Sequence, residues 1–212
     1  MGVIGYIGCN VVSAIFITGD EMRAELKRIA SIQMGYSFRT RLELMQPGEI
    51  AVLQMRDLTD ENRVDCSGLL RVEMEKLKEH HLVRPGDLVF RSRGQVSTSA
   101  ILTEDPGEAV VAAPLLRIRV SRKAVLPEYL NWFINQPPAQ AFLASRAKGT
   151  AQKMISKQAL ESLEVCVPPL DRQRTIVELA ALVEEEQNLM NRLAGKRRQY
   201  VSTIMMQLVE GE

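Results

Sequence analysis

No stretch of this sequence approaches the roughly eighteen consecutive apolar residues of a membrane-spanning helix. Cysteine is scarce as well. Cys9, Cys66 and Cys166 stand far apart in no metal-ligand or framework spacing, which excludes a disulfide scaffold and a cysteine-built zinc site and fits a cytoplasmic protein. Histidine occurs only as His80-His81, on a charged segment, where it reads as a solvated pair rather than a metal site. Neither sign of charge dominates, and a net charge of +1 indicates no particular partner. The apolar stretch Val3–Ile17 lacks the preceding Lys or Arg of a secretory signal, the first basic residue being Arg23. The change of character at Met22 suggests that translation starts there; an added β-rich strand is the other reading of residues 1–21.

Catalytic signatures are missing too. A methyltransferase acting on an amine needs a cofactor-binding glycine loop and an Asn/Asp-Pro-Pro-aromatic motif. Asn135-Gln136-Pro137-Pro138 carries an inserted Gln and is followed by Ala139 where an aromatic belongs. Asp57, Asp60 and Glu61 read as a polar turn rather than a nuclease cluster, and Ser92, Ser97 and Ser99 have no histidine near them in sequence. Trp132 and Phe133 sit in an apolar run and read as core. No catalytic residue, metal ligand or cofactor is expected.

Proline disappears after Pro168-Pro169, and this marks the feature around which the chain is organised. From Leu170 to Leu208 there is no proline and one glycine, Gly195. Asp171 is placed to cap a helix start. Apolar residues then recur at heptad spacing through Ile176, Leu179, Val183, Met190, Leu193, Tyr200 and Ile204. At 1.5 Å per residue such a helix is about 55 Å long, roughly twice the width of a small domain. If a second copy lies antiparallel, one register brings Met190 to Leu193, Val183 to Tyr200, Leu179 to Ile204 and Leu182 to Val201. The same register sets Glu186, which interrupts the seam, against Arg197 of the other helix. Such an ion pair adds little net stability but penalises slipped registers. The alternative is a helix lying on its own domain, with both charges at a wet edge.

Residues 22–169 read as one mixed α+β domain, preceded by residues 1–21 and followed by the helix over 170–209. Strands are expected in EIAVLQMRDL, DLVFRSRG, AILTE, AVVAAPLLRIRV (two strands joined near Pro114) and LEVCVPP. Helices are expected in PEYLNWFIN, over Ala139–Ala147 and over Ile155–Leu163 with Ser156 as cap, while Val72–His81 reads as a short helix or surface loop. Charge is unevenly placed. No Asp or Glu lies between Glu25 and Glu43, between Asp87 and Glu104, or between Glu128 and Glu161. Each window holds a glycine loop with basic, hydroxyl or amide side chains. The candidates are Ser37 and Arg39; Arg91, Ser92, Arg93 and Gln95; Lys148, Thr150, Gln152 and Lys153. Arg and Lys neutralise phosphates, Gln and Arg read base edges, and glycine lets a backbone approach closely, which together suit double-stranded DNA. The same windows also suit three ordinary solvated loops.

The order IASIQMGYSFR, RPGDLVFRSRG, LLRIRV, LPEYLNWFIN, KGTAQKMISKQAL, LESLEVCVPPLDRQRTIVE resembles the specificity (S) subunit of type I restriction–modification systems, over about Leu26 to Leu208. One departure is Asp171-Arg172-Gln173, where the family usually has two acidic residues before the Gln. A larger one is size, since family members normally carry two recognition domains, each followed by a long helix. The resemblance therefore implies a half-size, non-catalytic subunit that dimerises, in agreement with the heptad and charge register, whose interface is Leu179, Val183, Glu186, Met190, Leu193, Arg197, Tyr200 and Ile204. It further implies recognition of a bipartite DNA site and a methyltransferase (M) subunit as partner. The alternatives are a coiled-coil interaction protein that does not bind DNA, and an enzyme with an unrecognised site.

Overall fold

The computed structural model describes residues 22–39, 42, 47–74, 77–94, 97–149 and 153–210. Residues 1–21, on which the expectation of a start at Met22 turns, lie outside the described residues. Within them the chain forms a mixed α/β domain and one long C-terminal helix.

The domain is built around β8 (Leu115–Val120), which pairs antiparallel with β2 (Ala30–Met34) on one side and with β5 (Leu88–Arg91) on the other; β6 (Ser99–Ile101) completes the sheet beyond β5. Side-chain alternation along these strands divides the core. Leu88, Phe90, Leu116 and Ile118 face a cluster shared with the helices. Val89 and Leu115 face the opposite way, into a cluster shared with Ala51 and Leu53. Those two belong to a second sheet, in which β3 (Ile50–Leu53) lies between β4 (Leu70–Val72) and β7 (Ala109–Val111). Ile50 and Val52, on the other face of β3, pack with Val72 and Val110. Strands covered on both faces read as unbroken apolar runs, as LVF and AVV do.

The helical layer comprises the single turn α1 (Leu26–Ile29), α2 (Pro127–Ile134), α3 (Pro137–Ser145) and α4 (Lys157–Glu161). Both α2 and α3 open on proline, whose missing N–H has no partner at that position anyway. Ser156 caps α4 as expected, its Oγ accepting from the Ala159 N–H at 3.1 Å. Leu130 and Ile134 are buried, whereas Trp132 is only half-buried and lines a shallow cavity with Val177 and Ala180 of the long helix. Val72–His81 contains the end of β4 and a single 3-10 turn at Glu79–His81. A ribbon of β1 (Met22–Glu25) and β9 (Glu164–Val167) completes the domain beside the root of the long helix.

That helix, α5 (Leu170–Glu210), has 41 residues. It begins one residue ahead of Asp171, which therefore sits in the first turn instead of capping it; its carboxylate accepts from Arg174 Nη1 at 2.7 Å. The anchor is Gln173, completely buried. Its Oε1 accepts from the Leu126 N–H at 2.9 Å, and its Nε2 donates to the carbonyls of Ala124 and Pro168, both at 2.7 Å. A buried amide with its donors and acceptor engaged fixes the direction in which a helix leaves a domain.

Candidate nucleic-acid interface

Because β2 and β5 both run antiparallel to β8, they finish at the same end of the sheet: Met34 lies opposite Leu116, and Arg91 opposite Leu115. The chain leaving β2 passes close to the turn before β8. The Gly35 N–H donates to Leu115 O at 2.9 Å, and a Cβ on Gly35 would stand 2.7 Å from both the Ala112 carbonyl carbon and Leu115 O. Only glycine fits that approach, and it delivers Tyr36, Ser37, Phe38 and Arg39 past the sheet end. Ser37 and Arg39 are exposed there.

The third basic loop comes from far along the chain and is stitched to the second by main-chain bonds. Ile155 N–H donates to Ser92 O at 2.8 Å and Gly94 N–H to Lys153 O at 3.2 Å, while Lys148 and Met154 exchange bonds of 3.0 and 2.9 Å. Gly94 and Gly149 take the positive φ these turns require, +128° and +104°. Arg93, Lys148 and Lys153 are thereby brought together, each with an exposed side chain.

Two expected members of this group are turned inward. Ser92 is buried and its hydroxyl donates to the Pro114 carbonyl, so it holds the loop instead of facing solvent. Arg91 is half-buried and its Nη2 donates to Leu58 O, which ties β5 to the Met55–Leu58 turn. Gln95, Thr150 and Gln152 lie outside the described residues. The arginines of LLRIRV also serve the fold. Arg117 is buried between Leu82 O and Gln33 Oε1, its pKa pulled down by burial, and Arg119 forks onto the buried Asp87 at 2.6 Å, which raises its own.

A feature beyond reach of the sequence reading lies beside these loops. His81 is half-buried rather than solvated and meets the Tyr36 ring edge-on at 5.5 Å between centroids; Phe38 lies tilted against Tyr36 at 4.9 Å and His80 tilted against His81 at 4.2 Å. Burial, followed by the charges of His80, Lys78 and Arg117, pushes the His81 pKa below its ordinary 6.5. Among the described residues, no group of three or more His, Cys, Asp or Glu side chains is arranged to hold a metal ion.

On α5 the seam residues Leu179, Val183, Met190, Leu193, Tyr200 and Ile204 are all uncovered, from 37% exposed at Ile204 to 69% at Leu193. Glu186 and Arg197 are exposed as well. The helix touches its own domain only along its first part, where Ile176, Val177, Ala180 and Glu184 are half-buried and Arg63 Nη2 lies 4.0 Å from Glu184. From Glu185 to Glu210 every residue is exposed. No helix among the described residues is long and apolar enough to cross a membrane.

A family model for the type I restriction modification DNA specificity domain matches residues 20–192. The chain is 23% identical over 180 residues to the specificity subunit of the type I restriction enzyme EcoBI from Escherichia coli, covering 80% of this chain and 38% of that protein. Its fold is similar to that of the HsdS subunit from Thermoanaerobacter tengcongensis, with a TM-score of 0.58, 16% identity, and coverage of 85% of this chain and 41% of the other. The S subunit of a type I restriction–modification system from M. genitalium gives a TM-score of 0.54 at 11% identity, covering 84% of this chain and 43% of the other. The chain thus spans about two fifths of the length of these relatives.

Proposed function

This chain belongs to the family of type I restriction modification DNA specificity domains, and from that premise we propose that it recognises double-stranded DNA sequence-specifically, without catalysing a reaction itself. The observation that carries this reading is the convergence of loops from three acid-free windows at one end of the four-stranded sheet, with Arg39, Arg93, Lys148 and Lys153 exposed on them. Phosphate neutralisation by such residues supplies affinity, and neighbouring polar groups read base edges. In this reading the chain works in the cytoplasm as a half-size specificity subunit. Two copies pair antiparallel through α5 and present two recognition surfaces to a bipartite site with identical, inverted halves. Methyltransferase subunits dock on the assembly and supply the chemistry. The uncovered seam of α5 supports the pairing, because a contiguous apolar stripe of this size marks an interaction surface.

The test is electrophoretic mobility of duplex DNA with the purified chain, with and without methyltransferase subunits, alongside sedimentation of the chain alone. Retarded duplex and a dimer in solution are expected. A dimer that never retards DNA in either condition would favour the coiled-coil interaction protein instead. Methyl transfer by the chain alone would contradict the assignment of chemistry to a partner.

A further inference from the structure

Aromatic residues make up only 5% of this chain, and it has two histidines, yet two aromatic rings and both imidazoles touch in succession at the end of the sheet where the basic loops converge. We propose that this ring cluster, Phe38–Tyr36–His81–His80, makes a non-ionic contact with duplex DNA, against sugars and base edges, next to the phosphate-binding Arg39, Arg93, Lys148 and Lys153. The inference rests on the DNA-recognition reading above and assigns a second kind of contact to the same surface.

Placement is the first argument. Tyr36 follows Gly35, whose N–H is bonded to Leu115 O, and Leu115 lies opposite Arg91 at the start of the second basic loop. The ring cluster and the Arg93 loop are therefore neighbours across one strand. Rigidity is the second. Phe38 packs against the buried cluster of Ile50, Val52 and Val110, and holds Tyr36 against His81, so the rings are set before any ligand arrives. A tyrosine fixed in this way loses little conformational entropy on binding. The third is the division of chemistry. The lowered pKa of His81 leaves its imidazole neutral at neutral pH, with one donor and one acceptor, and the Tyr36 hydroxyl offers the same pair. Neutral groups of this type suit base edges and sugars, whereas the flanking cations suit phosphates.

The test is equilibrium binding of the full chain to a fluorescent duplex, enriched by the wild-type chain from a random-sequence pool, across a salt series, for wild type, Tyr36→Ala, Tyr36→Phe, His80→Ala and His81→Ala. Each protein is first checked by thermal melting. Losing a ring contact should weaken binding about tenfold at every salt concentration, with the slope of log K against log salt unchanged. Tyr36→Phe should keep most of the ring's contribution. A normally folded Tyr36→Ala that binds like wild type, or that lowers the slope as loss of a lysine would, overturns the inference while leaving DNA recognition intact. If Tyr36→Ala does not fold, the two histidine variants carry the same test, and wild-type affinity in both overturns it. A wild-type chain that binds no duplex sinks the recognition reading and this inference together.

Discussion

The amide N–H of Leu126, at the entry to α2, donates to the side-chain oxygen of Gln173 at 2.9 Å, so the first turn of α5 is bonded to the start of the helix it packs against. Together with the bonds to Ala124 and Pro168, this places a polar group where an amphipathic helix would ordinarily set a hydrophobic one. Gln173→Leu keeps the bulk and leaves Leu126 N–H and two carbonyls without their partner. Each orphaned buried group costs about 1–3 kcal/mol. Urea denaturation should show a loss of at least that size, and α5 should become more susceptible to proteolysis near its root. Wild-type stability in this variant would mean that apolar contacts alone hold the helix.

The three exposed basic residues of the stitched loops should separate from Arg91. Arg93→Ala, Lys148→Ala and Lys153→Ala should each lower the salt slope of DNA binding by about one where the side chain contacts phosphate. A side chain that contacts a base should instead change preference at one position of the site. Arg91→Ala should lower thermal stability, because its guanidinium holds the Leu58 carbonyl. Unchanged affinity in the Arg93, Lys148 and Lys153 triple variant would place the DNA surface elsewhere.

For α5, charge reversal tests partner and register together. Glu186→Arg or Arg197→Glu should raise the dimer dissociation constant about tenfold, and the double swap should recover much of that loss. In a cysteine-free background, Met190→Cys on one copy should crosslink to Leu193→Cys on the other. A swap that rescues nothing, with no crosslink, would indicate a different register or a different partner.

His81 gives a signed pH prediction. Its pKa in the folded chain is lowered, first by burial and then by nearby cations, so the unfolded chain binds more protons between that value and 6.5. The contribution to stability is complete above 6.5 and is lost as pH falls through the ordinary value toward the lowered one. Melting temperature should therefore drop on mild acidification, and by less in His81→Gln. Identical pH profiles for the two proteins would assign the drop to other groups.

The features legible in the sequence are those that repeat locally. Two-residue alternation and unbroken apolar runs located β3, β5, β7 and β8, Pro127 marked the start of α2, and heptads located α5, whereas α3 opens at Pro137, two residues ahead of the expected Ala139. Acid-free windows picked out the loops that gather at one end of the sheet. What stayed hidden depends on contacts between distant segments. Nothing in RSRG says that Ser92 turns toward Pro114 or that Arg91 reaches Leu58, since a serine or arginine in a basic loop looks the same whether it faces inward or outward. His80-His81 looked solvated because the ring that shelters His81 belongs to Tyr36, more than forty residues earlier. Gln173 gave no sign of burial because its partners are backbone groups, which every sequence has.

The main-chain bonds joining Ser92–Gly94 to Lys153–Ile155 have a consequence for how such a protein can be re-engineered or recombined. Two segments some sixty residues apart form one mechanical piece, so the geometry of each is part of the inheritance of the other. A graft that exchanges one segment alone would pair a new loop with an old cradle, and both would shift. A crossover that carries Arg91 through Ser156 as a block keeps the cradle and its loop together, and is the smallest transplant that moves this part of the surface intact.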